Sequence, residues 1–471
     1  MEKHSRHLVA DRPLPEDFDN YLPWACFQLS VDATVIITRT FQSQYLRTST
    51  ERQKTKASGK TKVASETLSE PESLTGGADI GSGFAKGINM LQKPVYIETT
   101  YNDFLHLVQI KFLKNTEIPR TVMKIIGFIL PYQKTLTTLV INSGLTAGVI
   151  HEIERFLPTT NITEVCLDGT TLVEANYHIL LNKGIIKYLS LSKCKINDAV
   201  VKNIAAKLIP PCAASKSLSA LNLATNRITD VGAKHIANLL RYNRHLTYLN
   251  LSDNMITDDG VSKIFDMLLE FPLTDRETVE RNKNRMKYLR AKKQLILKNI
   301  QGVQMDDFDK KSKRKATKPA LSKKKEKVHS LSIVGRSLTD IEQHHWDKAG
   351  VIAEGILGPF DDPFGADHTE TRENKVYCFG NNKLAYLNLA YNNLTYSSLK
   401  RLRDVVMTQN ILRRSPHGLI NVRIEGNYLP EACTELEMID NILEAGLASY
   451  KRPSEVNKKK VVSSKNSSKP S

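Results

Sequence analysis

The chain has 471 residues, is 41% hydrophobic and 7% aromatic, and carries a formal net charge of +17, which suits one extended domain or two to three compact ones. No apolar run reaches eighteen residues and the opening stretch MEKHSRHLVADRPLPEDF lacks an apolar core, so neither a membrane span nor a secretory leader is expected, and the sequons at Asn161 and Asn250 are expected to be unused. The cysteines (26, 166, 194, 212, 378 and 433) show no CxxC spacing, which reads as free thiols in a reducing compartment rather than a disulfide or zinc framework. Residues 281–330 hold 18 Lys/Arg against 4 Asp/Glu and residues 451–471 hold 7 against 1, so the basicity belongs to appendages around a near-neutral body.

In chain order, residues 1–94 form an N-terminal extension, partly disordered, with 47–95 rich in Ser, Thr, Lys and Gly. Leu105, Val108 and Ile110, followed by a helical run after Pro119, suggest a capping unit, because proline suits a first helical turn. From Leu136 a pattern L-x-x-L-x-L-x-x-N-x-L takes over. Leu218, Leu221, Leu223, Asn226 and Ile228 fill it, as do Leu246, Leu249, Leu251, Asn254 and Ile256, and Leu384, Leu387, Leu389, Asn392 and Leu394. Weaker copies start at Leu136, Ile162, Ile186 and Leu419, with Gly144, Thr170 and Cys194 in the Asn place of the first three. This is the leucine-rich-repeat signature.

The spacing dictates the shape of each unit. Alternation of leucines with period two makes a short strand with one buried face. The Asn bonds backbone where the chain leaves the strand. After Ile228, Val231, Ile236, Leu239 and Leu240 recur at helical spacing behind a Thr229 or Asp230 N-cap. One unit cannot bury its own apolar face, so neighbours must stack. The predicted fold class is α/β: a leucine-rich-repeat solenoid (horseshoe) with a parallel inner sheet and outer helices, in units of about 28 residues with full helices.

A first repeat block (95–272) is interrupted by a basic insert (273–327). Within it 274–301 reads as a long helix that could continue the repeat's own helix, with Met286, Leu289, Ile296 and Ile300 near one stripe. Residues 309–327, DKKSKRKATKPALSKKKEK, read as disordered. A second block (328–450) is predicted to open with a cryptic repeat, Val328, Leu331, Ile333 and Leu338 with Arg336 in the Asn place, since 328 to 384 spans two 28-residue units. The tail, 451–471, reads as disordered and basic.

Two columns of strand residues face the concave side. One is Thr138, Glu164, Tyr188, Ala220, Tyr248, Tyr386 and Asn421. The other is Val140, Cys166, Ser190, Asn222, Asn250, Asn388 and Arg423. Tyr and Asn dominate, so Tyr188, Asn222, Tyr248, Asn250, Tyr386 and Asn388 are the candidate partner-binding residues, against the plainer reading as ordinary solvent-facing sheet positions. Scarcity of Lys and Arg disfavours nucleic acid on this face. The insert's Lys310, Lys311, Lys313, Arg314, Lys315, Lys323, Lys324 and Lys325 fit a solvated loop, a nuclear-import or nucleic-acid patch, or a tether to an acidic protein surface such as the outside of a microtubule.

No catalytic motif stands out. IGSGFAKG (80–87) is a lone G-x-G without a strand before it, His344 and His345 beside Glu342 diverge on a helix, and the carboxylates of 359–373 lack calcium-loop spacing. No enzyme, cofactor or metal is expected.

ENKVYCFGNNKLAYLNLAYNNLT (373–395), the turns ITDVGA (228–233) and ITDDGV (256–261), and the Lys-rich insertion between the repeats resemble the leucine-rich repeat-containing protein 71 family over roughly residues 95–440. That resemblance implies a non-enzymatic scaffold of motile cilia and sperm flagella with axonemal protein partners, in the cytoplasm or axoneme; tubulin as a partner is read from the basic insert alone. The alternatives are a nuclear or RNA-associated repeat protein that uses the insert, and a soluble inhibitor or adaptor of the ribonuclease-inhibitor type. The long N-terminal extension and basic tail depart from the family.

Overall fold

A computed structural model describes residues 12–42, 94–315, 338–414 and 416–451. They fall into two compact units, one reaching to residue 269 and resuming at 381, the other spanning 270–380.

The first unit is built on one sheet of ten strands. Helix α1 (Phe18–Gln28) and strand β1 (Thr34–Phe41) come first, then β2 (Pro94–Tyr101), β3 (Leu107–Phe112) and α2 (Arg120–Ile129). The repeats follow: β4 (Thr138–Ile141), α3 (Ala147–Phe156), β5 (Glu164–Cys166), β6 (Tyr188–Ser190), α4 (Asp198–Lys207), β7 (Ala220–Asn222), α5 (Asp230–Tyr242), β8 (Tyr248–Asn250) and α6 (Asp258–Asp266). Beyond the second unit come β12 (Tyr386–Asn388), α9 (Tyr396–Leu412), β13 (Asn421–Arg423) and α10 (Thr434–Lys451). Every junction in the sheet is parallel except β2–β3.

The leucine pattern explains the stacking. Leu139, Val165, Leu189, Leu221, Leu249 and Leu387 lie in one register row, each fully buried. Burying such a side chain is worth about 1.5–3 kcal/mol, and no unit has enough of its own surface to do it alone. The Asn positions lock the row. Asn226 Nδ2 donates to the carbonyls of Leu191 and Leu223 at 2.9 Å, and its Oδ1 accepts from the N–H groups of Cys194 and Ile196. Asn254, Asn392 and Asn427 repeat this, each bonding its own turn and the preceding one. Cys194 substitutes with its thiol, which donates to the Leu167 carbonyl at 3.2 Å, and Thr170 bonds the same carbonyl at 2.6 Å.

A second set of bonds joins helix starts. Thr229, Thr257 and Thr395 are N-caps whose hydroxyls accept from a helix N–H two residues on. Asp198 accepts from the N–H and hydroxyl of Thr229, and Asp230 and Asp258 do the same for Thr257 and Thr395. The Asp of one repeat therefore holds the cap of the next. Gly260 N–H also donates to Asp230 Oδ1 at 3.2 Å, and a Cβ at Gly260 would fall on that carboxylate.

Several expectations change. The capping region begins earlier: α1 buries Phe18, Leu22, Ala25 and Cys26, and Gln133 Nε2 donates to the Pro15 and Glu16 carbonyls at 2.9 and 3.0 Å, so residues 12–42 belong to the fold. Leu105 is exposed, with φ +59° in the turn between β2 and β3; Leu107, Ile110 and Phe112 are the inward residues. Val231 is 58% exposed because it sits at the helix start, and Ala233 takes the inward place. Not every unit has a full helix. Between β5 and β6 the chain makes only a 3-10 turn (Tyr177–Leu181), where Tyr177 is fully buried and its hydroxyl donates to the Thr170 carbonyl at 3.1 Å. Among the described residues no strand stands between β8 and β12. Val328, Leu331, Ile333 and Arg336 lie outside the described residues, but β8 pairs directly with β12, Leu249 against Leu387. Asn392 reaches the Leu251 carbonyl, 141 residues back, so the ladder closes as though the insertion were absent.

The second unit has its own framework. It comprises β9 (Phe271–Pro272), α7 (Asp275–Lys315), α8 (Leu338–Leu357), β10 (Thr369–Arg372) and β11 (Lys375–Cys378), with the strands in an antiparallel sheet of order β10-β11-β9. Helix α7 does not continue α6: β9, with its proline, separates them. A capping box opens α7. Thr274 N–H donates to Glu277 Oε2 at 2.8 Å and Glu277 N–H donates to Thr274 Oγ1 at 3.3 Å. The helix also runs past 309 to Lys315, contrary to the disorder expected there. No proline occurs between 275 and 315, and Lys and Arg are good helix formers. Its packed face is polar. Tyr288 Oη donates to the Gly358 carbonyl at 2.9 Å, Asn284 to Asp362 at 3.1 Å and Arg281 to the Phe364 carbonyl at 2.6 Å. Met286 and Leu289, expected near one apolar stripe, are exposed.

Candidate functional site

The strands present one face to the helices and the other to open space. The residues flanking each buried leucine lie on that open face, because strand side chains alternate. The register aligns both columns. Tyr188, Ala220, Tyr248, Tyr386 and Asn421 are successive partners, as are Ser190, Asn222, Asn250, Asn388 and Arg423. All six candidate residues are half-buried. The insertion does not break the columns, since β8 and β12 are neighbours.

Tyr248 and Tyr386 stack face to face, ring centroids 4.3 Å apart and planes 5° from parallel. Burial, and then the neighbouring phenols of Tyr386 and Tyr188, push the Tyr248 hydroxyl up to about 12, so it stays neutral at ordinary pH. Tyr188 is also raised, chiefly by burial. Ala220 stands between Tyr188 and Tyr248 in the column. With strands about 4.8 Å apart, this small residue leaves a low place flanked by aromatic rings.

The Asn column is used differently. Asn222, Asn250 and Asn388 each accept, through Oδ1, the N–H two residues on, from Ala224, Ser252 and Ala390. Each thus shapes the exit from its strand. Asn222 also donates to Ser190 Oγ at 2.9 Å, and Ser190 donates to Asp168 at 2.6 Å. A fixed polar row therefore borders the tyrosines. Sequence spacing placed these asparagines on the face, while their Asx turns give them a local duty that the spacing does not reveal. Asp168, in the turn two residues beyond the end of β5, carries no repeat signal and was missed.

Charge on the two columns is confined to Glu164 and Arg423, the latter paired with Glu425 at 3.4 Å. The Cys166 thiol is pushed up to about 12, mainly by burial, which keeps it protonated and a poor nucleophile near neutrality. Among the described residues no group of three His, Cys, Asp or Glu is placed to hold a metal, and no helix is long and apolar enough to cross a membrane. Of the basic candidates, Lys310, Lys311, Lys313, Arg314 and Lys315 fall in the last turns of α7. Lys323, Lys324 and Lys325 lie outside the described residues, as does the 80–87 stretch.

A family model described as leucine-rich repeat matches residues 214–237 and 242–265, the units that supply β7–α5 and β8–α6. No curated protein matches the chain. Among solved structures it is similar to an internalin from Listeria monocytogenes, at 12% identity and a TM-score of 0.27, covering 66% of this chain and 54% of that one. The repeats and their parallel sheet define a leucine-rich-repeat fold.

Proposed function

We propose that the chain is a non-catalytic scaffold whose helix-free sheet face holds a protein partner in the axoneme of a cilium or flagellum. The observation that carries this reading is the tyrosine column: Tyr188, Tyr248 and Tyr386, half-buried on a sheet face almost without charge. Tyrosine supplies apolar area with a polar tip and loses little rotamer freedom on binding. The low place at Ala220 would take an apolar side chain from the partner, and the half-buried Asn222 beside it would bond its backbone. The cationic end of α7 would add attachment to an acidic surface such as tubulin. The axonemal setting is supported by the resemblance of the repeat order around the basic insertion to the cilium-associated family.

The experiment is retention on demembranated axonemes of Ala220→Phe, which fills the low place, and of a variant with Lys310, Lys311, Lys313, Arg314 and Lys315 changed to Gln. The first is expected to lose retention at any salt concentration. The second is expected to lose only the salt-sensitive fraction. Unchanged retention of Ala220→Phe would contradict the face assignment, and unchanged salt dependence of the second would contradict the tether.

A further inference from the structure

In the second unit α7 has two faces of different fate. Successive side chains on a helix turn by about 100°, and Arg281, Asn284, Tyr288 and Lys292 share the face bonded to Phe364, Asp362, Gly358 and Glu354. Nearly half a turn away, Val279, Met286, Leu289 and Leu297 form an apolar stripe, each 45–65% exposed. Arg290 and Lys293 stand within this stripe and Arg285 flanks it. All three are exposed, and none has an ion pair or hydrogen bond among the described residues.

We propose that this stripe is a docking surface for an acidic amphipathic helix of a partner protein. Three uncompensated cations among four exposed apolar side chains define the complement: an apolar ridge flanked by carboxylates. From Val279 to Leu297 the stripe is about 27 Å long, the length of five turns of a partner helix. A second copy of α7 would bring like charges together, and residues 309–327 of the same chain are cationic too. A lipid surface fits less well, because Arg290 and Lys293 would enter the apolar layer with the stripe, whereas a partner carboxylate can meet each of them. The surface belongs to residues 270–380 and does not rest on the tyrosine column.

The test uses the full chain and a fluorescent five-turn peptide with leucines on one face and glutamates beside them. Its lysine counterpart, vesicles containing phosphatidylserine, and sedimentation velocity complete the set. The glutamate peptide should bind and the lysine peptide should not. Met286→Asp with Leu289→Asp should abolish binding. Arg290→Glu with Lys293→Glu should weaken it about tenfold or more and confer binding of the lysine peptide. Circular dichroism melts of both variants should match the parent, since the changed side chains are exposed. No binding of the glutamate peptide, or equal binding by both variants, overturns the proposal. So does vesicle binding or self-association that the variants abolish while the peptide fails to bind, which would assign the stripe to a membrane or to a second copy. Variants that melt well below the parent would overturn it too, by placing the stripe inside the fold.

Discussion

At the residue scale, the repeat is held by a few side chains that each serve two neighbouring units. Leu251 is fully buried between such units; Leu251→Ala is expected to cost about 2–5 kcal/mol, read from urea unfolding. Gly260 is a different case, since its packing rather than its φ forbids a side chain. Its missing Cβ makes room for the Asp230 carboxylate that caps Thr257. Gly260→Ala should displace that carboxylate and destabilise by about 1–3 kcal/mol, the cost of leaving such groups unpaired. Asp258 gives a pH test. Burial pushes its carboxyl up, but bonds from Ser398 and Thr395 outweigh this and hold its pKa below the usual value. A depressed folded pKa means that its stabilisation is full above the unfolded value of about 3.9 and is lost as pH falls through the lower folded value. Stability of the parent should therefore fall more steeply than that of Asp258→Asn as pH drops below about 4; parallel curves would contradict the capping role.

At the element scale, the strands were legible because their evidence is local: period-two leucines followed by Asn located β7, β8 and β12, and the Cys variant located β6. Helix faces were legible where the pattern was strong, as at Ile236 and Leu240, and misread at Val231, because periodicity alone does not mark where a helix starts. The outermost capping elements, α1 and β1, were missed. β1 joins the sheet through pairing with β2, across more than fifty residues of sequence, and the chain before α1 is held by Gln133, more than a hundred residues on; no local pattern announces either. The buried face of α7 was not legible for a related reason. Its packed side chains, Arg281, Asn284 and Tyr288, bond backbone and carboxylate rather than packing as an apolar stripe, so a search for apolar residues found the outward face instead.

At the scale of the whole molecule, spacing arithmetic failed where topology decided. The 56 residues from 328 to 384 suggested a cryptic repeat, yet β8 passes directly to β12 and residues 270–380 form a compact unit of their own. The repeat unit is tightly closed where its two segments meet. Asn381 N–H donates to the Met267 carbonyl at 2.8 Å, and its fully buried amide bonds the Leu240 and Asn243 carbonyls at 2.9 Å. Replacing 270–380 by a short Gly/Ser linker is therefore expected to leave the repeat unit folded with one cooperative melt; a broad or absent transition would mean that the repeats depend on the insertion. The candidate face was legible as two columns, but the Tyr248–Tyr386 stack was not, because the sheet makes neighbours of rings that lie far apart in the chain.

Whether the tyrosine column holds a partner in the axoneme is tested most directly by retention of the tagged chain on demembranated axonemes of flagellated cells. The comparison is between the parent and Tyr248→Ala/Tyr386→Ala, once matching melts show that both fold. Retention of the parent with release of the variant is the predicted result. Equal retention of both, or a parent that washes away completely, would contradict it.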